Sequence, residues 1–356
     1  MLDFLYQKLA KPILFKLDPE KVHDRALKLG QRIGKHGFVK RLFHYEDPAL
    51  EQNVCGIQFK NPIGLSAGFD KDGDLTEVIP NVGFGYMQVG SITNKPYKGN
   101  PKPRLHRLKK SKGILVYYGL KNIGVHKILP KIKKTDGFPV GISIAKTNCK
   151  ETASTEDGIR DYSECIKAVV ESGKGDFITI NISCPNVFGG EPFTSPEKLT
   201  RLLEEIPRID KPLFLKMPIN LEWEDFKDLL DIAIGKVDGV IIGNLNKDRS
   251  GIEDTIPPMM QGGISGLPCQ KLSNEIISKT YKYAGDKLTI IGCGGVFSAE
   301  DAYDKIKRGA TLVQLITGMI YEGPQLIKQI NKGLVQLTDT DGFSNISEAV
   351  GIDNRA

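Results

Sequence analysis

No apolar run in this 356-residue chain approaches the roughly 20 residues that a membrane-crossing helix needs, and no signal-peptide pattern opens it. Its six cysteines (Cys55, Cys149, Cys165, Cys184, Cys269 and Cys293) form no CxxC pair and have no His partners at zinc spacing. Reduced thiols in a cytosolic compartment, with no metal site, are therefore expected. No sequence repeat at a period of about 20–50 residues stands out, which argues against a solenoid or propeller. Net charge is missing from most of the chain. Residues 1–45 hold ten Lys/Arg against four acids, which equals the net +6 of the whole, so residues 46–356 sum to zero. A neutral body argues against a nucleic-acid enzyme, whose basic surface usually surrounds the active site.

The first 45 residues carry apolar side chains at 2, 4, 5, 9, 13 and 14, then at 22, 26, 29 and 33. These spacings predict two short amphipathic helices. Asp18, Pro19 and Glu20 supply an N-cap, a first-turn proline and an acid near the helix dipole. Basic residues beside Leu, Phe and Ile suit a helix pair lying on anionic lipid. A helical cap packed on the rest of the protein fits the same spacing.

Beyond a link near Pro48, strand-like runs alternate with helix-length segments. The runs cover 61–68, 86–92, 139–145, 177–183, 212–217, 238–244, 288–295 and 312–317. Helical spacing lies between them, for example at 156–172, 222–235, 271–284 and 298–308. Eight strands in this alternation imply an α/β fold, a (β/α)8 TIM barrel over 46–337, with a doubly wound open sheet as the alternative. Segments 50–60 and 104–116 are expected to add a small hairpin layer at one end. Residues 338–356 read as a polar C-terminal tail.

The richest stretch is 181–186 (NISCPN), which leaves the strand-like run 177–180 and leads to Gly189 and Gly190. Cys184 then stands between the carboxamides of Asn181 and Asn186 at a strand C-terminus, where α/β barrels place their chemistry. Carboxamides both donate and accept, which suits a small polar heterocycle. Taken alone, the stretch could also be an ordinary buried-Cys turn. Glycine turns end the last two runs, at 290–295 (IIGCGG) and 313–318 (VQLITG), and the segment 262–266 (GGISG) offers another close backbone approach. Such turns after the seventh and eighth strands commonly cradle phosphate, although tight turns without a ligand look alike. Lys71 and Lys216 also fall at or near strand ends, where a buried lysine needs an anionic or polar partner. Asn244 ends the sixth run, a place where Asn needs a reason.

With these residues in view, the chain resembles the dihydroorotate dehydrogenase family from about residue 2 to 337. The carriers are 67–73 (AGFDKDG), 99–107 (GNPKPRLHR), 181–186, 262–266 and the two glycine turns. The resemblance implies a flavin mononucleotide (FMN) held by Ala67, Gly68, Lys71, Ser91, Asn181, Lys216, Gly266, Gly295 and Thr317. It implies dihydroorotate bound by Lys71, Asn181, Asn186 and Asn244 and oxidised to orotate, a step of de novo pyrimidine biosynthesis. Cys184 would take the C5 proton, flavin N5 would accept the C6 hydride, and Lys216 would stabilise charge on the reduced flavin. The stretch 14–23 (LFKLDPEKVH) resembles the extension of the quinone-using class 2 enzymes. That likeness implies a peripheral enzyme on the cytoplasmic side of the cell membrane, with His23 and Arg107 lining a quinone tunnel.

Four departures from the family pattern matter. Class 2 enzymes carry Ser as base, whereas Cys184 is the choice of the soluble class 1 enzymes. A family Asn is replaced by Val116, a Ser/Thr beside Asn244 by Leu245, and a Tyr before the phosphate turn by Ile316. Losing two polar partners of a buried substrate costs about 1–3 kcal/mol each. A hydroxyl from Tyr117 or Tyr118 could compensate. A fumarate- or NAD-linked oxidant, a less polar substrate, a non-catalytic flavin-binding module and a tRNA-reducing barrel are the competing readings. The loop 187–194, with Gly189 and Gly190 as hinge, is expected to act as a lid.

Overall fold

A computed structural model describes residues 2–207 and 209–355. Eight parallel strands close a barrel: β1 (Ile63–Leu65), β2 (Tyr86–Ile92), β3 (Val140–Ile144), β4 (Phe177–Asn181), β5 (Leu213–Met217), β6 (Gly239–Ile242), β7 (Thr289–Cys293) and β8 (Leu312–Leu315). Neighbours in sequence are neighbours in space, and β8 pairs with β1 to close the ring. Each strand falls inside one of the expected apolar runs. The four expected helices appear as Thr155–Ser172, Trp223–Ala233, Gln270–Ala284 and Ala299–Lys307. Parallel strands covered on both faces read as unbroken apolar runs, which is why this part of the fold is visible in the sequence.

The N-terminal end of the barrel is filled by a layer that depends on register. Gly64 pairs with Tyr86, Gly141 with Phe177, and Gly239 with Phe214, each across two neighbouring strands. In each pair the aromatic ring lies over the glycine, where a Cβ would come within 2.2, 2.3 and 2.8 Å of the ring. Glycine here provides room for a ring. The rings of Tyr86, Phe177 and Phe214 pack edge to face, and Phe59 joins them 5.2 Å from Tyr86.

Phe59 belongs to the hairpin of strands Gln52–Val54 and Ile57–Phe59, which plugs this bottom end. The second expected hairpin, Leu105–Leu108 with Gly113–Val116, pairs with Gly263–Gly266 beside the residues that rim the opposite end. The two segments thus form separate caps at opposite ends rather than one layer. Each hairpin's own pattern says nothing about which end it covers.

Residues 2–14 form one helical run with a π-turn over Tyr6–Ala10, where the Lys11 N–H reaches back to the Tyr6 carbonyl just before Pro12. Asp18 caps the helix Pro19–Ile33 by accepting from the Lys21 N–H at 2.8 Å. A third helix, Gly37–Phe43, was not expected; it buries Val39. The C-terminal segment is polar only on its outside. The helix Leu326–Thr340 runs through position 338, and Ile346 and Ala349 are fully buried against the barrel's helical layer.

The aromatic layer yields a direct test. Gly141→Ala forces the Phe177 ring aside and should lower the urea-unfolding free energy by about 2 kcal/mol or more. Adding Phe177→Leu should recover part of that loss. A Gly141→Ala protein as stable as the parent would show that the ring does not need the glycine.

Candidate active site

At the C-terminal mouth of the barrel a cavity partly open to solvent gathers residues from the loops that follow the strands. Ala67, Gly68 and Lys71 reach it from β1, Ser91 from β2, Asn181, Cys184 and Asn186 from β4, and Lys216 from β5. Asn244 follows β6, Gly295 follows β7, Thr317 follows β8, and Gly266 comes from the hairpin layer. His23 closes one wall. Arg107 is the one expected site residue that does not line this cavity. Its guanidinium donates to the Leu17 carbonyl at 2.8 Å and lies 4.7 Å over the Phe15 ring, bracing the turn between the N-terminal helices.

The carboxamides are held by serines. Asn181 donates to the Ser91 hydroxyl at 2.8 Å, and its carbonyl oxygen accepts from the Ser183 N–H and hydroxyl at 3.1 and 2.8 Å. Asn244 donates to the Ser183 carbonyl and hydroxyl at 2.6 and 2.7 Å. Asn186 donates to the Val116 carbonyl at 2.9 Å, which ties the Cys184 loop to the hairpin layer. Ser183 and Ser143, which contacts Ser91 at 2.8 Å, escaped the sequence reading. So did Asn148, which bonds Gly119, Asn100 and Phe188 and cross-braces the site from behind. Ser183 could have been found from its place between Asn181 and Cys184. Asn148 follows β3 as Asn244 follows β6, the same weak signal.

Two lysines define the electrostatics. Lys216 is 4% exposed, and among the described residues its ammonium makes one hydrogen bond, to the Ser66 hydroxyl at 3.4 Å. Lys71 lies 3.3 Å from His23 Nε2 and 4.2 Å over the Tyr118 ring, and burial, with the charge of Lys121, lowers it to about 8. Among the described residues neither forms an ion pair. By contrast Lys305, equally deep, donates to Ser273 at 3.1 Å and Asn274 at 2.5 Å. Two enclosed cations with no carboxylate in contact among the described residues fit an anionic ligand. At Gly68 (φ +113°) the backbone conformation requires glycine, and an added Cβ would have no neighbour nearer than Ile316 at 3.7 Å. It lines the cavity, so the backbone itself can approach a ligand there. Lysines, carboxamides and glycine turns on one cavity form a donor set suited to a phosphate-bearing flavin.

Burial pushes the Cys184 thiol up to about 11, with the Glu191 carboxylate adding to the rise and an Asn186 hydrogen bond and Lys216 opposing it. Burial, with Lys71 nearby, lowers His23 to about 3, so its imidazole is neutral at physiological pH. Val116, Leu245 and Ile316 all line the cavity, so the three departures from the family pattern bear on the ligand. Of the two tyrosines considered, Tyr118 reaches the cavity wall.

A closed (β/α)8 barrel with a thiol, carboxamides and unpaired lysines at its C-terminal mouth is the architecture of a barrel enzyme. The model of the dihydroorotate dehydrogenase family matches residues 49–337, and the chain belongs to that family. A dihydroorotate dehydrogenase (quinone) of Trichodesmium erythraeum is 35% identical, with 99% of each chain covered. One of Sulfurimonas denitrificans is 39% identical over 98% of this chain and 99% of its own. Among solved structures, the enzyme of Eimeria tenella in complex with ferulenol superposes with a TM-score of 0.84 at 28% identity, covering 95% of this chain and 96% of that one.

His23 gives a pH test. Its folded value of about 3 lies below the ordinary 6.5, so the stability it contributes is present above pH 6.5 and is lost as pH falls toward 3. Lowering the pH from 7 to 5 should cost up to about 2 kcal/mol of unfolding free energy through this residue. His23→Gln should flatten that part of the profile, and identical profiles would place His23 in water.

Proposed function

We propose that the protein oxidises dihydroorotate to orotate with bound FMN and passes the electrons to a membrane quinone, as a step of de novo pyrimidine biosynthesis. The observation that carries this reading is the convergence of Cys184, three carboxamides and two unpaired lysines on one cavity. Ala67, Gly68, Lys71, Ser91, Asn181, Lys216, Gly266, Gly295 and Thr317 hold the FMN. Bound FMN supplies the acceptor for the hydride that leaves C6. Lys71, Asn181, Asn186 and Asn244 orient the substrate so that its C5 proton faces Cys184. Cys184 takes that proton as the thiolate, which is the minor form while burial holds the thiol up at about 11, and the enclosure of its site keeps water away from the proton it takes. Lys216 offsets the negative charge that develops beside it.

The oxidant side of the reading rests on an inverted polarity. The N-terminal helices attach to the barrel through polar contacts. Tyr6 donates to the Ile320 carbonyl at 2.6 Å, and Gln7 to the Glu322 carboxylate at 2.7 Å. Buried Glu20 lies 3.3 to 3.8 Å from Lys102, Arg104 and Lys121. Several of their apolar residues face outward: Phe4, Leu9, Ile13 and Leu29 are 56–64% exposed, while Leu27 packs on the core and Phe15 on Tyr321. An outward apolar face rimmed by lysines suits the surface of an anionic membrane. Among the described residues no helix is long and apolar enough to cross a bilayer, which fits a peripheral enzyme on the cytoplasmic side of the membrane. His23 on the cavity wall and Arg107 beside Phe15 mark the path for an apolar oxidant.

Anaerobic mixing of the FMN-loaded protein with dihydroorotate tests the first half. The visible flavin absorbance should bleach, and Cys184→Ala should slow bleaching about 100-fold or more while the protein stays yellow. Re-oxidation should then be faster with a quinone in anionic vesicles than with fumarate or NAD, and deletion of residues 2–14 should remove the vesicle effect. A yellow protein that dihydroorotate leaves unchanged would overturn the substrate.

A further inference from the structure

The loop that carries Cys184 contains a charged group that the proposed reaction does not use. Gly189 (φ +81°) and Gly190 (φ +69°) adopt left-handed backbone, and a Cβ on either would meet nothing within 4 Å. They serve conformation rather than packing, so the chain can pivot there. Glu191 follows at once. Its side chain is only 8% exposed, and one carboxylate oxygen meets the Lys247 ammonium at 2.5 Å. The other oxygen, Oε1, is buried and has no hydrogen-bond partner among the described residues. Lys247 stands on a braced turn after β6, where its backbone N–H donates to Asn220 at 2.9 Å and Asn220 donates to Asn246 at 2.8 Å. A hinged loop is thus fastened to a fixed turn by one ion pair.

We propose that the Glu191–Lys247 pair is the clasp that holds the Cys184 loop closed, and that Glu191 is a positioning residue acting through the Cys184 thiol. The inference rests on the reading of Cys184 as the base. A buried acceptor left without a donor costs about 1–3 kcal/mol. A clasp made only for structure would not retain it. The charge bears on the thiol as well, because a carboxylate there favours S–H over S⁻, so the position of the loop sets how readily Cys184 ionises. The other groups that bear on the thiol are Lys216 on β5, Tyr162 on the helix Thr155–Ser172, and Lys146 after β3. Lys216 stabilises the thiolate. Tyr162 is engaged with the Asn181 carbonyl at 2.8 Å. Lys146 shares a small second cavity with Cys184, Val187 and Gly190, and donates to Thr152 at 3.2 Å and to the Phe188 carbonyl at 3.4 Å. Of these groups Glu191 is the anion, and it moves with the loop.

Two readouts on the purified full chain test the clasp, and neither needs dihydroorotate or turnover. Phe188, 45% exposed in the same loop, offers a chymotrypsin site. Glu191→Gln and Lys247→Gln should each raise cleavage there about fivefold, the equivalent of about 1 kcal/mol of lost closure. The charge-swapped double variant, Glu191→Lys with Lys247→Glu, should restore protection. The second readout is the pH midpoint of Cys184 alkylation, followed by peptide mass. In Glu191→Gln it should fall, and in the swapped variant further still, because a cation then faces the thiol. Wild-type cleavage in both single variants would overturn the clasp. An unmoved alkylation midpoint in Glu191→Gln would overturn the action on the thiol.

Discussion

Two ammonium groups enclosed at the barrel mouth, with no carboxylate partner among the described residues, set the terms for the rest of the site. Lys216 has a single long hydrogen bond to Ser66, and Lys71 has a neutral imidazole and an aromatic face. Enclosing a charge with so little compensation is unfavourable, and a structure keeps such an arrangement where a ligand completes it. The contrast with Lys305, satisfied by Ser273 and Asn274, shows that this chain can bury a lysine with close partners where no ligand is involved. The serine-held carboxamides, the glycine turns and the buried thiol are arranged around those two charges.

The same economy explains the N-terminal helices. Their lysines and carboxamides do not face solvent alone, because Gln7, Gln31 and Lys35 hold the segment to Glu322, Asp74 and Glu77, while Phe4, Leu9 and Ile13 are left outside. Packed this way, the helices act both as a cap on the mouth and as an apolar outer surface. The two readings that the spacing left open are therefore compatible. Glu20 is the fastening: its carboxylate is gripped by cations from segments 102–104 and 121, next to Tyr118 and Lys71. The cap is thereby coupled electrostatically to the Lys71 side of the cavity.

Most of the barrel was legible in the sequence because parallel strands buried on both faces are short apolar runs, and glycine and proline bound them. The residues at their C-terminal ends were legible for the same reason. Once a strand is placed, Asn181, Cys184, Lys216 and Asn244 fall at the mouth by position. What was not legible depends on register or on distant partners. The pairing of Gly141 with the Phe177 ring needs the strand alignment. Asn148 and Glu191 gain meaning only from Gly119, Phe188 and Lys247, brought near by folding. The third N-terminal helix and the opposite placement of the two hairpins were missed for that reason as well. Buried Ile346 and Ala349 are too few to stand out in a polar segment.

The most direct measurement is the stability and FMN affinity of protein freed of flavin, with and without the Lys216 charge. If the site is built to be completed by an anion, Lys216→Met should make the flavin-free protein more stable by about 1–3 kcal/mol and weaken FMN binding about tenfold or more. The gain without ligand and the loss with it should come from the same substitution. A flavin-free variant less stable than the parent, binding FMN as tightly, would show that Lys216 serves the fold and not the ligand.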